Sequence, residues 1–254
     1  MWTNIRYVML TAIRDKLFAG LLIGVVFAAF VASAMGSTAM LEPEQMTIAF
    51  TAAAMRIILM VGILVFIAFH IRNAFDNREM DLLLSRPISR TKLVVSYWLG
   101  FGLVASLLIL PAIGIIALID AYDGQGFLLW SLSLLLESWL VVTLTLFVAM
   151  TFKSGVSTVL SALGFYTLSR MMGFFVATTR SNGLFELHII DVIAKWTMKI
   201  ISIVIPRADF FGKSSWLIYG VDVSTDWWLC VIQAACFIPL LLAATLLDFS
   251  RKQF

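Results

Sequence analysis

Three ionisable residues fall inside long apolar stretches of this chain: Arg56 within 48–71, Glu137 within 127–152 and Arg170 within 156–177. A charged side chain at mid-bilayer costs about 2.5–3.5 kcal/mol on insertion scales, so each needs a reason to be there. Counted from the stretch ends remote from the polar segment 73–92, Arg56 lies 8 residues in, Glu137 10 and Arg170 7. At 1.5 Å rise per residue the depths are about 12, 15 and 10 Å, close to one level. One carboxylate there can bridge two guanidiniums and leave net positive charge. Two roles for such a cluster stand side by side. It can line a path that attracts an anionic headgroup or other anionic cargo, or it can be a clasp that fixes helix packing.

Other arrangements that could do chemistry are missing from the sequence. It has no carboxylate pair on one helix face, no His-Glu-x-x-His and no Ser or Cys nucleophile near a base, so no catalytic residues are assigned. His70 and His188 have no second ligand at metal spacing, which predicts no metal site. Cys230 and Cys236 stand on different faces of one apolar run and read as packing residues.

Hydrophobic residues make up 61% of the 254 positions and charged residues 13%, against about 45–50% and about 25% in soluble domains. The composition is that of an integral membrane protein, with the lipid bilayer as its solvent. A net charge of +3 over this length makes no nucleic-acid surface, so nucleic acid is excluded as a partner. The basic N-terminus, the apolar run from Leu17 and Ala32-Ser33-Ala34 mimic a signal peptide. At about 20 residues that run exceeds the usual h-region of about 7–15, which predicts a retained first helix.

Six stretches reach the roughly 20 apolar residues that a crossing needs: 17–35, 48–71, 93–119, 127–152, 156–177 and 227–247. The expected fold is an all-α membrane protein, one transmembrane domain over 1–254. Small residues recur along the spans (Gly20, Gly24, Ala105, Ser157, Ser161, Gly164), which suits close helix packing in lipid, and Pro111 and Pro239 predict local kinks. Residues 1–16 read as an amphipathic surface helix. Lys and Arg concentrate at the N-terminus, in 73–92, at Lys153 and at the C-terminus, which predicts that these face the cytoplasm. The loops 36–47 and 120–126 carry acidic residues only and are expected outside. Segment 178–226 is also placed outside by the span count, although Arg180, Lys195, Lys199, Arg207 and Lys213 pull the other way. Within it, 189–205 reads as an interfacial or re-entrant amphipathic helix, with Asp191, Lys195, Lys199 and Ser202 as a polar stripe.

The segment 73–92 is a polar island between two apolar spans. Phe75 to Ser85 places Phe75, Met80, Leu83 and Leu84 on one side of a helical projection, with Asp76, Arg78 and Asp81 elsewhere. Arg86-Pro87 stops that helix, and Ser89 can cap a new one that runs into the third span.

The run Arg78-Glu79-Met80-Asp81-Leu82-Leu83-Leu84-Ser85-Arg86-Pro87-Ile88-Ser89-Arg90, set between spans two and three of six, resembles the signature loop of ABC transporter type-2 permeases. The chain departs from that pattern where Glu79-Met80 replaces a common Gly-Thr and where Tyr97-Trp98-Leu99-Gly100 stands in place of a common Gly-Lys. The resemblance implies the permease subunit of an ATP-driven exporter, paired with a second permease copy or paralogue and with two copies of a cytosolic ATPase. It implies a bacterial cytoplasmic (inner) membrane location with both termini in the cytoplasm. The island would then be the coupling helix, with Met80, Leu83 and Leu84 as anchors in a groove of the ATPase, Arg78, Glu79, Asp81 and Arg86 at the rim, and Pro87 fixing the bend. The sequence lacks a Gly-x-x-x-x-Gly-Lys-Ser/Thr phosphate loop, so ATP and Mg are expected on the partner, with no cofactor on this chain and no enzyme activity of its own. The alternatives are a structural or assembly subunit of another membrane complex and an intramembrane enzyme.

Overall fold

The computed structural model describes residues 2–38, 42–77, 89–119, 122–180, 192, 196–202, 205–221 and 225–251. Its helices are α1 (Trp2–Arg14), α2 (Lys16–Ser37), α3 (Pro43–Asp76), α4 (Arg90–Ile119), α5 (Gly124–Thr151), α6 (Gly155–Arg180), α7 (Ser215–Tyr219) and α8 (Thr225–Arg251). A 3₁₀ turn covers Ala208–Phe211. The described residues contain no strand, and six of the helices, α2 to α6 and α8, are long and apolar enough to cross a membrane.

Helix ends follow local chemistry. Asp15 caps α2 by accepting from the Leu17 amide at 3.0 Å, and Asp123 caps α5 by accepting from the Gly126 amide at 2.8 Å. α3 is longer than the apolar stretch 48–71. Pro43 suits its first turn, Glu44 complements the helix dipole there, and at the other end Arg72 pairs with Asp76 one turn on. Asn73 to Asp76 of the island therefore continue the second span, and Asn77 closes it. On the island's other shoulder, the Leu93 amide bonds the Ser89 carbonyl at 3.1 Å as α4 begins. Arg78 to Ile88, which include every coupling residue expected above, lie outside the described residues.

α3, α4 and α5 hold most of the core, with α5 packed against α3, α4, α6 and α8. α2 lies along α3 as a hairpin and turns Phe27 and Phe30 outward. Lipid offers these helices little hydrophobic drive to associate, so close fit and interhelical hydrogen bonds must hold them. Trp98 donates to Thr143 at 2.8 Å and Trp139 donates to Ser106 at 3.2 Å, while the two indoles meet edge to face at 5.0 Å. Together they lock α4 to α5. Buried hydroxyls turn back on their own helices, as Ser96 does on the Lys92 carbonyl and Thr245 on that of Leu241. Gly20 and Gly164 face open space in the single chain, while Ala105 is buried. α1 packs on α4 through Val8, which sits over Gly100.

At the island end, Arg90 donates to the Ser250 carbonyl and Thr151 to Asp248, which gathers the ends of α4, α5 and α8. At the far end the chain between α6 and α8 does more than loop over the top. Residues 205–221 descend among α5, α6 and α8: Phe211, Trp216 and Leu217 are buried, and the Arg207 amide bonds Gln233, 8 residues into α8. That depth is about 12 Å. The chain thus turns in among the helices over 205–221, after the stretch 189–205. Of that stretch, 196–202 is helical, Asp191 and Lys195 lie outside the described residues, and Trp196 and Ile200 are exposed beside Lys199.

Candidate functional site

α5 supplies the anchor. Glu137 projects into the centre of the bundle with Ser133 and Trp130 one and two turns before it, a spacing that keeps all three on one face. Arg56 of α3 donates from Nη1 to Glu137 Oε2 at 2.7 Å, and from Nη2 to Ser133 Oγ at 3.0 Å and the Trp130 carbonyl at 3.3 Å. Its guanidinium carbon lies 5.2 Å from the Trp130 ring centroid, within cation–π range. From the other side, Arg170 of α6 donates from Nη1 to Glu137 Oε1 at 2.7 Å, and the Tyr166 hydroxyl donates to the same oxygen at 2.9 Å. One carboxylate therefore ties α5 to α3 and to α6.

The arrangement has an enclosed side and an open side. The Arg56 and Glu137 side chains are 0% exposed, whereas that of Arg170 is 26% exposed. Arg170 is held by the segment 205–221, with Nη1 also reaching the Ala208 carbonyl at 3.3 Å. A Cβ at Gly212 would meet the Arg170 guanidinium, so the glycine leaves room for that side chain in its bonded position. Ser169, next to Arg170, donates to the Pro206 carbonyl and accepts from the Ala208 amide. Arg207 pairs with Asp209 at 2.7 Å and covers the Phe210 ring at 4.0 Å. The neighbourhood holds three guanidiniums and two carboxylates, so it stays positive.

Five buried side-chain atoms have no hydrogen-bond partner among the described residues: Gln45 Oε1, Thr51 Oγ1 and Arg56 Nε on α3, and Trp130 Nε1 and Ser131 Oγ on α5. A buried polar atom left unpaired costs about 1–3 kcal/mol.

The structure brings Arg56, Glu137 and Arg170 into one cluster. Tyr166, Ser133, Trp130 and Gly212 join it without having been singled out in the sequence. Tyr166 precedes Arg170 by four residues and Ser133 precedes Glu137 by four, a helical signal that could have named both. His70 packs against the Phe66 and Phe101 rings, which also meet each other, and His188 lies outside the described residues. Cys230 is buried with Sγ 3.7 Å from the Phe210 carbonyl, while Cys236 is exposed. Among the described residues no group of His, Cys, Asp and Glu could hold a metal ion.

The chain matches no protein-family model and no curated protein sequence.

Proposed function

We propose that this chain is the permease subunit of an ATP-driven transporter of the ABC type-2 permease kind, working as an exporter. It couples through 73–92 to a separate cytosolic ATPase. The observation that carries the reading is the continuity of α3. It runs without a break from Arg56, in the central charge cluster, to Asp76 at the edge of the island, about 30 Å of helix. Helices α3 and α4, which bracket the island, are also among those that hold the core. A push on the island therefore reaches the middle of the bundle through backbone hydrogen bonds.

The reading places the island, both termini and Lys153 in the cytoplasm of a bacterium, with the re-entrant segment toward the other face. Two ATPase subunits and a second permease copy or paralogue complete the transporter, and ATP and Mg belong to the ATPase. Tagged permease should copurify with a soluble ATPase, and Leu83→Asp with Leu84→Asp should abolish that while leaving the permease in the membrane. A permease that brings down no ATPase, or keeps it in the double variant, contradicts the coupling.

A further inference from the structure

α1 meets the bundle along one side. Its Ile5, Val8 and Ala12 are buried, and it packs mainly on α4. Its outer side carries Trp2, Leu10 and Ile13, all exposed. At 3.6 residues per turn these three fall within about 80° of one another. Beside that apolar sector a cleft of about 520 Å³ opens at the elbow between α1 and α2, lined by Tyr7, Leu10, Thr11, Arg14 and Asp15. Its level in the bilayer follows from the chain. Lys16 begins the first span and Leu17 its apolar stretch, so Arg14, Asp15 and Lys16 stand where hydrocarbon gives way to headgroups.

The charges at the elbow do not balance. Residues 2–17 hold three cations, Arg6, Arg14 and Lys16, against one carboxylate, Asp15. All three cations are exposed, and none forms an ion pair among the described residues. Asp15 already accepts from the Leu17 amide as the cap of α2. An uncompensated positive cleft at headgroup level, next to an exposed apolar sector, is complementary to a molecule with an anionic head and acyl chains. A zwitterionic lipid brings no net charge to it.

We propose that the cleft at the α1–α2 elbow holds an anionic phospholipid, its phosphate against Arg14 and its chains along Leu10, Ile13 and Leu17. The Thr11 hydroxyl is placed for the glycerol oxygens, and Arg6 and Lys16 add attraction from before and after Arg14 in the chain. The lipid fastens α1 and the start of the first span to the membrane surface. The site needs only a bilayer, so it stands whether or not the chain is a permease.

Photocrosslinking from the cleft tests this. Leu10→Cys in a chain with Cys230→Ala and Cys236→Ala is labelled with benzophenone maleimide and placed in phosphatidylcholine nanodiscs that contain equal minor shares of phosphatidylglycerol and phosphatidylethanolamine. Mass spectrometry of the adducts should show phosphatidylglycerol captured at least about tenfold more often per lipid than either of the others, and Arg14→Gln should lower that preference about fivefold. Lys153→Gln, which removes a cation between α5 and α6, should leave it unchanged. The proposal is overturned if the three lipids are captured equally, if phosphatidylethanolamine matches phosphatidylglycerol, or if Lys153→Gln lowers the preference as much as Arg14→Gln does. Cross-links that stay within the protein would show the cleft filled by the chain itself, and loss of the preference in inorganic phosphate would assign it to soluble anions; either overturns the lipid. Should Leu10→Cys fail to fold, Thr11→Cys carries the same readout.

Discussion

Arg56 of α3 donates to Glu137 of α5 at 2.7 Å with neither side chain exposed. Burial makes this pair expensive to form and more expensive to break. Taking two ions from water costs several kcal/mol each, and removing one partner leaves the other buried and uncompensated. The Glu137 carboxylate serves Arg170 as well, so the same loss would strand two guanidiniums.

Glu137→Gln should therefore destabilise the bundle by about 3–5 kcal/mol, the loss found when a buried pair is broken. Tyr166→Phe removes one hydrogen bond to the same carboxylate and should cost about 1–2 kcal/mol. Unfolding by mixed-micelle titration would read both. A Glu137→Gln protein as stable as the parent would show that the cluster does not hold the helices together. Transport lost with stability intact would assign it to the path.

Gly212→Ala places a methyl where the Arg170 guanidinium lies. Overpacking of this kind costs about 1–3 kcal/mol, and the cost should shrink toward zero once Arg170→Ala has emptied the space. An equal cost in both backgrounds would rule out this contact as its cause.

Ser169 holds the segment 205–212 through two backbone contacts, to Pro206 and Ala208. Ser169→Ala leaves these groups without that partner, and hydrogen exchange of 205–212 should speed up by about tenfold or more while α4 is unchanged. Unaltered exchange across 205–212 would mean that Ser169 does not fasten it.

Trp98 and Thr143 form an interhelical hydrogen bond between α4 and α5. Such bonds average about 0.6 kcal/mol in membrane proteins, so a double-mutant cycle of Trp98→Phe with Thr143→Val should return a coupling of that size. A coupling of zero would show that the indole packs without bonding.

The spans were legible in the sequence because lipid imposes a length and a composition on any crossing helix. Their ends were less so. Glu44 and Asp76 look like loop residues, yet a helix that extends past the hydrocarbon can keep charges at its termini, where the dipole or an i,i+4 partner accepts them. The depth of Arg56, Glu137 and Arg170 was also readable, since rise per residue converts position into level. What the sequence hid was the descent of 205–221. Its Arg207 and Asp209 resemble surface residues, and only the structure shows them paired with each other, with Phe211 and Trp216 turned into the bundle. Local pairing neutralises charges that composition alone counts as solvated.

The central claim is that the island receives force from the cytosol. Ser85→Cys in a chain with Cys230→Ala and Cys236→Ala, treated with a membrane-impermeant maleimide, tests its side of the membrane. The account predicts no labelling in intact cells and full labelling in inverted membrane vesicles. Labelling of intact cells at the rate of an outward-facing control would contradict it.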